Sequence, residues 1–229
     1  MRPLSRRSFL QRAGLLGAAS ALAQLPALLD ARGLLAAATA QTPGLTADTL
    51  SGLVAFVLPG SDPYSVAQGQ SSDGPGGVAS GAVPVLVDDL DQFIATTTVL
   101  GPDVSPPASN GVAALLNAYA MRVNPTATRG GFPSPFARLS FAEKAKVFEL
   151  FEGEPSADGT ELRFVAGILP GLVALVALSE AGVYDRDRRE LESRPVGWDI
   201  SGYGGPADGH DELKGYWHGL RSATDSGHA

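Results

Sequence analysis

LRFVAGILPGLVALVALSE, residues 162–180, is the most apolar stretch of the chain and has the strongest influence on its fold. Sixteen residues separate Arg163 from Glu180, and Pro170 and Gly171 stand in the middle of them. A helix that spans a bilayer needs about 20 consecutive apolar residues. We therefore favour a central core helix, kinked at Pro170 and surrounded by other helices, over a membrane span.

Four segments that precede this stretch have the spacing of helices. Thr46 is a plausible N-cap for the first of them. Ser140 and Glu143 form a capping-box pattern at the start of the last one, because each side chain can satisfy a free backbone N–H. The predicted helices cover residues 46–57, 83–97, 111–122 and 141–151.

The connections between these helices are long and rich in glycine and proline. The chain has 28 Gly and 17 Pro, and residues 59–84 consist largely of Gly, Pro and Ser, which predicts a long loop. There is no run of alternating strands, no βαβ pattern and no internal repeat. The sequence predicts an all-α, irregular helical domain of about five to six helices over residues 41–192, followed by an irregular aromatic, Gly-rich tail over residues 193–229.

The N-terminus resembles a twin-arginine export signal. Arg6 and Arg7 precede Phe9 and Leu10 in the sequence SRRSFLQ, close to the usual S-R-R-x-F-L-K pattern, with Gln11 in place of Lys. Twin-arginine signals are typical of proteins that cross a membrane already folded. Residues 1–40 are therefore predicted to be an export signal.

Signal cleavage is predicted before Gln41. An apolar run over residues 13–29 is followed by Ala38 and Ala40, small residues of the kind that signal peptidase recognises. Residues 21–23 are a second candidate, although cleavage there would shorten the apolar run. An uncleaved signal that anchors the protein and an ordinary amphipathic helix remain as alternatives.

Charge and cysteine content exclude several classes of function. The chain has 17 Lys and Arg against 24 Asp and Glu, a net charge of −7. Residues 1–40 contain five Arg and one Asp, so a chain beginning at Gln41 carries −11. This acidity argues against binding to nucleic acid or anionic lipid. The absence of cysteine excludes disulfides, Cys-ligated zinc, iron–sulfur clusters and c-type haem.

Motifs of enzymes are almost absent. The chain contains no dinucleotide-binding glycine motif, no P-loop, no G-x-S-x-G and no H-E-x-x-H. Asp208, His210 and His218 are weak candidates for a metal site or an acid–base pair, together with the neighbouring Asp211 and Glu212. Their spacing matches no known site, so an exposed polar tail is the favoured interpretation.

Aromatic residues of the tail are candidates for contact with a partner. Trp198, Tyr203, Tyr216 and Trp217 lie among many glycines. Trp and Tyr are enriched in the hot spots of protein interfaces, but the same side chains can fold back and cap the helical core. Both interpretations are kept.

Five features together resemble the gluconate 2-dehydrogenase subunit 3 family, the small subunits that accompany FAD-dependent dehydrogenases of the glucose–methanol–choline (GMC) type. Each motif is short, but together they extend over much of the chain. They are the paired Arg6 and Arg7, VLPGSD at 57–62, LSFAEKAKVFELFE at 139–152, LSEAGVYD at 178–185 and RPVGWDISGYGGP at 194–206.

The resemblance implies a non-catalytic accessory subunit that binds, matures and escorts a GMC-type FAD-dependent dehydrogenase through twin-arginine export. It implies no catalytic residue and no cofactor in this chain, with FAD in the large subunit. The twin-arginine translocase and a cytochrome c subunit are the further expected partners. The expected location is periplasmic or in the cell envelope, with membrane association if the signal is retained.

Two features depart from common members of the family: the long loop at 59–84 and the acidic, His-containing tail. Because of these differences, the resemblance does not identify the large subunit or its substrate. One alternative is a self-sufficient exported enzyme or metal-binding protein that uses the cluster between Asp208 and His218. Another is a helical binding module tethered to the membrane by its own signal.

Overall fold

The computed structural model describes residues 36–93, 106–153, 161–185 and 187–203, with the side chains of 93 and 161–165 left out. The predicted all-α class is confirmed. A helical turn at 36–39 precedes the main helices. These are α1 (Pro43–Val57), α2 (Pro63–Ala67), α3 (Ala82–Phe93), α4 (Ala108–Val123), α5 (Phe141–Gly153), α6 (Glu161–Leu178) and α7 (Val196–Ser201).

Helix α1 occupies the centre of the fold. Every residue from 48 to 55 is buried, and α1 contacts α2, α3, α4 and α6. Its small polar side chains are compatible with burial because they bond to its own backbone. The hydroxyl of Thr49 donates to the Leu45 carbonyl at 2.8 Å, and that of Ser51 donates to the Ala47 carbonyl at 2.8 Å. A helix with such self-satisfied groups can be enclosed on all sides.

The prediction that the helix at 162–180 is surrounded by others was wrong. One face of α6 packs against the core through Ala166, Leu169, Val173, Val176 and Ala177. Between residues 166 and 178 the opposite face is exposed although it carries no polar side chain. The helix contacts α1, α3, α5 and α7. None of the described helices covers its outer face. The helix continues through Pro170, and the kink expected there stays a prediction.

The first helix begins earlier than predicted. Thr42, not Thr46, is its N-cap, and the Thr42 hydroxyl accepts a hydrogen bond from the Leu45 N–H at 3.2 Å. Pro43 then occupies the first helical position, where its missing N–H has no consequence. Thr46 is buried, and its hydroxyl donates to Asn110 Oδ1 in α4 at 2.7 Å.

The segment 59–84 is more ordered than the predicted loop. Asp62 caps α2 by accepting hydrogen bonds from the N–H groups of Tyr64 and Ser65, each at 3.0 Å. Gly60 and Gly76 lie against each other, and a Cβ on Gly60 would meet the Gly76 nitrogen at 2.2 Å. Composition favours a loop here, but two glycines without side chains allow the backbone to fold onto itself.

The predicted capping box of α5 is confirmed. Ser140 N–H donates to Glu143 Oε2 at 2.9 Å, and Glu143 N–H donates to Ser140 Oγ at 3.3 Å. The other oxygen of Glu143 accepts from Asn124 Nδ2 at 2.8 Å, which ties the start of α5 to the end of α4. The cap therefore has both a local and a tertiary role.

The first part of the predicted irregular tail is helical, which corrects the prediction for residues 196–201. A 3₁₀ turn (Ala181–Val183) and a small antiparallel hairpin of β1 (Tyr184–Asp185) and β2 (Glu190–Leu191) connect α6 to α7. Helix α7 ends at Gly202, which has a φ of 69° and so forms a left-handed C-cap. Among the described helices, none is long and apolar enough to cross a membrane.

Candidate functional site

Most of the large exposed hydrophobic side chains among the described residues come from α6 and the elements that follow it along the chain. Leu175 is 57% exposed on the outer face of α6. Val66, 60% exposed in α2, is the single such residue that the described ranges place elsewhere. Exposed apolar groups of this kind indicate contact with another molecule. We call the following set the C-terminal apolar surface: Leu175, Leu178, Tyr184, Leu191 and Tyr203.

Close packing of α7 on the end of α6 positions part of this surface. Gly197 lies directly on α6, since a Cβ there would be 2.6 Å from the Leu178 carbonyl oxygen. Trp198 is buried, and its Nε1–H donates to Glu180 Oε1 at 3.2 Å. Tyr203 packs edge-on against Trp198 with ring centroids 5.2 Å apart but stays about half exposed. Trp198 thus caps the core, while Tyr203 remains accessible to a partner.

Arg194 fixes the segment that carries Trp198 and Tyr203. Its Nε donates to Asp199 Oδ1 at 2.8 Å, and its Nη2 donates to the Tyr203 carbonyl at 2.8 Å. The guanidinium also lies 5.5 Å from the centroid of the Trp198 ring. The geometry holds a short helix and its aromatic side chains in one position before any partner binds.

The most unusual buried group is Lys144 of α5, whose side chain is fully buried. Its Nζ donates to the Gly52 carbonyl at 3.0 Å and to Gln68 Oε1 at 2.8 Å. Burial lowers the pKa of Lys144 to about 7, and the carboxylate of Asp62 opposes this shift. The amine has no path to a substrate, so its role is to join α5 to α1 and α2.

A second buried network surrounds Asp48. Tyr64 Oη donates to Asp48 Oδ1 at 2.8 Å, and Ser134 N–H donates to Asp48 Oδ2 at 2.7 Å. Burial, followed by the Asp48 carboxylate, raises the pKa of Tyr64 to about 12. Asn117 extends the network, since its Oδ1 accepts from Ser134 Oγ at 2.7 Å. No local sequence pattern reveals either network, because the members of each are distant along the chain.

A cleft of about 430 Å³ opens between the first turns of α1 and α4 and the side of α3. Pro43, Val83, Pro84 and Val87 make most of its lining apolar. Asp91, one of its acidic residues, accepts a hydrogen bond from the Ser109 N–H at 2.8 Å. Its polar lining consists of the hydroxyls of Thr46 and Ser109, the carboxylates of Asp88 and Asp91 and the amide of Asn110.

Most of the predicted site residues lie outside the described residues. Of the predicted cleavage residues, Ala38 is buried in the core and Ala40 is exposed. Cleavage before Gln41 would remove the Ala38 methyl group from the core. Within the described ranges, no group of three or more His, Asp or Glu could hold a metal. The predicted site residues that lie outside the described ranges are Arg6, Arg7, Phe9, Leu10, Asp208, His210, Tyr216, Trp217 and His218.

The structure brings the motifs of the resemblance together in two pairs. Lys144 of the motif at 139–152 lies near Asp62 of the motif at 57–62. Glu180 of the motif at 178–185 bonds to Trp198 of the motif at 194–206. No family model, no curated protein and no solved structure matches the chain, so the family remains a prediction.

Proposed function

We propose that this protein is a non-catalytic accessory subunit that binds a GMC-type FAD-dependent dehydrogenase and escorts it through twin-arginine export. The observation that carries the proposal is the C-terminal apolar surface. Five exposed hydrophobic side chains lie on α6 and the elements that follow it, around a segment fixed by Arg194. Exposed hydrophobic side chains that form one patch mark a surface for another protein.

Two further observations support the proposal. The paired Arg6 and Arg7 are the residues that the twin-arginine pathway reads. The buried polar groups of Lys144 and Asp48 are occupied with holding helices together. An export signal on a helical chain whose described buried polar groups serve helix packing suits a subunit that carries another protein.

The test is affinity purification of the tagged full chain from its native cell envelope, with an absorption spectrum of the eluate. We expect a large co-purifying protein and the visible absorption bands of bound flavin. Combined Leu178→Asp and Tyr184→Asp substitutions should remove both, since buried carboxylates at an interface are costly. Val66→Asp, which changes an exposed residue elsewhere, should retain both. A colourless single chain from the wild type would contradict the proposal.

The alternative of a self-sufficient exported enzyme or metal-binding protein depends on Asp208, His210 and His218. Its discriminating experiment is the joint replacement of His210 and His218 by Ala, followed by measurement of bound metal and of activity. A loss of either would favour the alternative. Unchanged values, together with a flavin-containing eluate, would support the accessory subunit.

A further inference from the structure

The residues around the predicted cleavage site form an ordered part of the fold. Residues 36–39 make a helical turn. The Ala40 N–H donates to the Ala36 carbonyl at 3.0 Å, and the Gln41 N–H donates to the Ala38 carbonyl at 3.3 Å. The N–H of Gln41 belongs to the predicted scissile bond itself, so this bond is held by the turn.

The residues on both sides of this bond are anchored to the protein. Ala38 is 2% exposed and belongs to the hydrophobic core, and Ala37 packs against the same core. After the bond, Gln41 Oε1 is buried and Thr42 caps α1. The predicted cleavage site therefore lies between a buried alanine and the capped start of the central helix.

The turn also separates the two side chains that signal peptidase would recognise. A binding site that accepts an extended peptide reads alternate side chains, because residues i and i+2 of an extended chain point to the same side. Two positions along an α-helix correspond to a rotation of about 200°. In agreement with this rotation, Ala38 is buried and Ala40 is exposed. The folded chain cannot present both alanines to one enzyme surface.

We propose that the fold protects the Ala40–Gln41 bond from signal peptidase, so that the exported protein begins at or before residue 36. The inference rests on the proposed twin-arginine export, since a protein that crosses the membrane already folded presents this turn to the peptidase. The small residues predict cleavage from the sequence, but the fold buries one of them. Cleavage at the second candidate, residues 21–23, would leave the turn intact and agrees with the inference.

Matched glycine substitutions separate protection from recognition. Ala38→Gly and Ala40→Gly both keep a small residue at a position that the peptidase reads. Only Ala38→Gly removes a methyl group from the core, and glycine also disfavours the helical turn, so this segment should open more often. We expect Ala38→Gly to raise the rate of cleavage before Gln41 about tenfold, equivalent to about 1.4 kcal/mol. Ala40→Gly should behave as the wild type.

Two measurements on the tagged full chain test the inference. The chain is recovered from the envelope fraction, and its intact mass gives the first residue. The chain purified from the cytosol is also incubated with purified signal peptidase in detergent, which tests protection without export. The wild type should begin at or before residue 36 in the first measurement and resist cleavage before Gln41 in the second. Residues 1–45 placed before an unrelated exported protein, where Ala38 has no core to enter, should be cleaved before Gln41.

A wild-type product that starts at Gln41 in either measurement would overturn the inference. Equal cleavage of Ala38→Gly and Ala40→Gly, or no cleavage of the fusion, would also overturn it, because the buried turn would then not be what protects the bond. A chain absent from the envelope would contradict the proposed function. In that case, resistance of the purified wild type and faster cleavage of Ala38→Gly would still support the protection.

Discussion

Gly52 and Gly44 lie in the same helix but have opposite surroundings. A Cβ on Gly52 would be 2.8 Å from the Ala137 Cα, whereas a Cβ on Gly44 would meet nothing within 4 Å. Gly52→Ala should lower the free energy of unfolding by roughly 1–3 kcal/mol, because a backbone atom has to move. Gly44→Ala should leave it unchanged or slightly raised. Urea unfolding of both variants checks this, and equal stabilities would refute the close contact.

Lys144 makes stability depend on pH. Its pKa of about 7 in the folded protein lies below the value of about 10.4 for an unfolded lysine. The unfolded chain therefore binds more protons between pH 7 and pH 10. This contribution to stability rises with pH in that window, by up to about 1.4 kcal/mol per pH unit. Below pH 7 both states are protonated and the contribution is constant.

Lys144→Met should remove this pH dependence. The substitution also leaves the Gly52 carbonyl and Gln68 Oε1 without their donor, which costs about 1–3 kcal/mol, and it removes the opposing cost of burying an ammonium group at neutral pH. Urea unfolding between about pH 7 and pH 9 separates the two effects. Lys146→Met, an exposed position in the same helix, should keep the wild-type slope. The same slope in Lys144→Met would mean that another group causes it.

Hydrogen bonds between residues close in sequence were predictable, whereas hydrogen bonds between residues far apart in sequence were not. Ser140 and Glu143 are three residues apart, and their reciprocal hydrogen bonds follow from a known pattern. Lys144 reaches partners 92 and 76 residues away. A lysine at a helical position normally indicates a solvated face. No local pattern reveals that this one is enclosed.

At the scale of elements, the cap of α5 can be tested directly. Ser140→Ala removes the acceptor of the Glu143 N–H and should lower the free energy of unfolding by about 0.5–2 kcal/mol. Ser61→Ala, at an exposed loop position, should change it by less than about 0.5 kcal/mol. Thermal or urea unfolding measures both. Indistinguishable variants would show that the capping box contributes nothing.

Hydrophobicity alone predicted that α6 would be the central helix of the fold, but α1 occupies that position. α6 is the more apolar helix, yet α1 is the enclosed one. The small side chains of α1, such as Gly52, allow neighbours to approach closely, and its hydroxyls bond to their own helix. Apolar content measures the preference for burial, but the size of side chains decides which helix fits the centre. The excess apolar surface of α6 remains on the outside.

At the scale of the molecule, the helical class followed from periodicity and the absence of alternating segments, and it is confirmed. The order within 59–84 was not predictable, because it depends on the contact of Gly60 with Gly76. The candidate surface was only partly predictable. Tyr203 and Trp198 were identified as aromatic residues of the tail, but which of them is accessible depends on how α7 packs against α6.

We propose that this chain carries a folded flavoprotein across a membrane by means of its own export signal. The most direct measurement compares how the co-purifying flavoprotein divides between cytosolic and envelope fractions. With Arg6→Lys and Arg7→Lys together, the account predicts that this flavoprotein accumulates in the cytosol. With the control pair Arg2→Lys and Arg12→Lys, it should be exported as in the wild type. A flavoprotein that reaches the envelope equally well with both pairs would contradict the account.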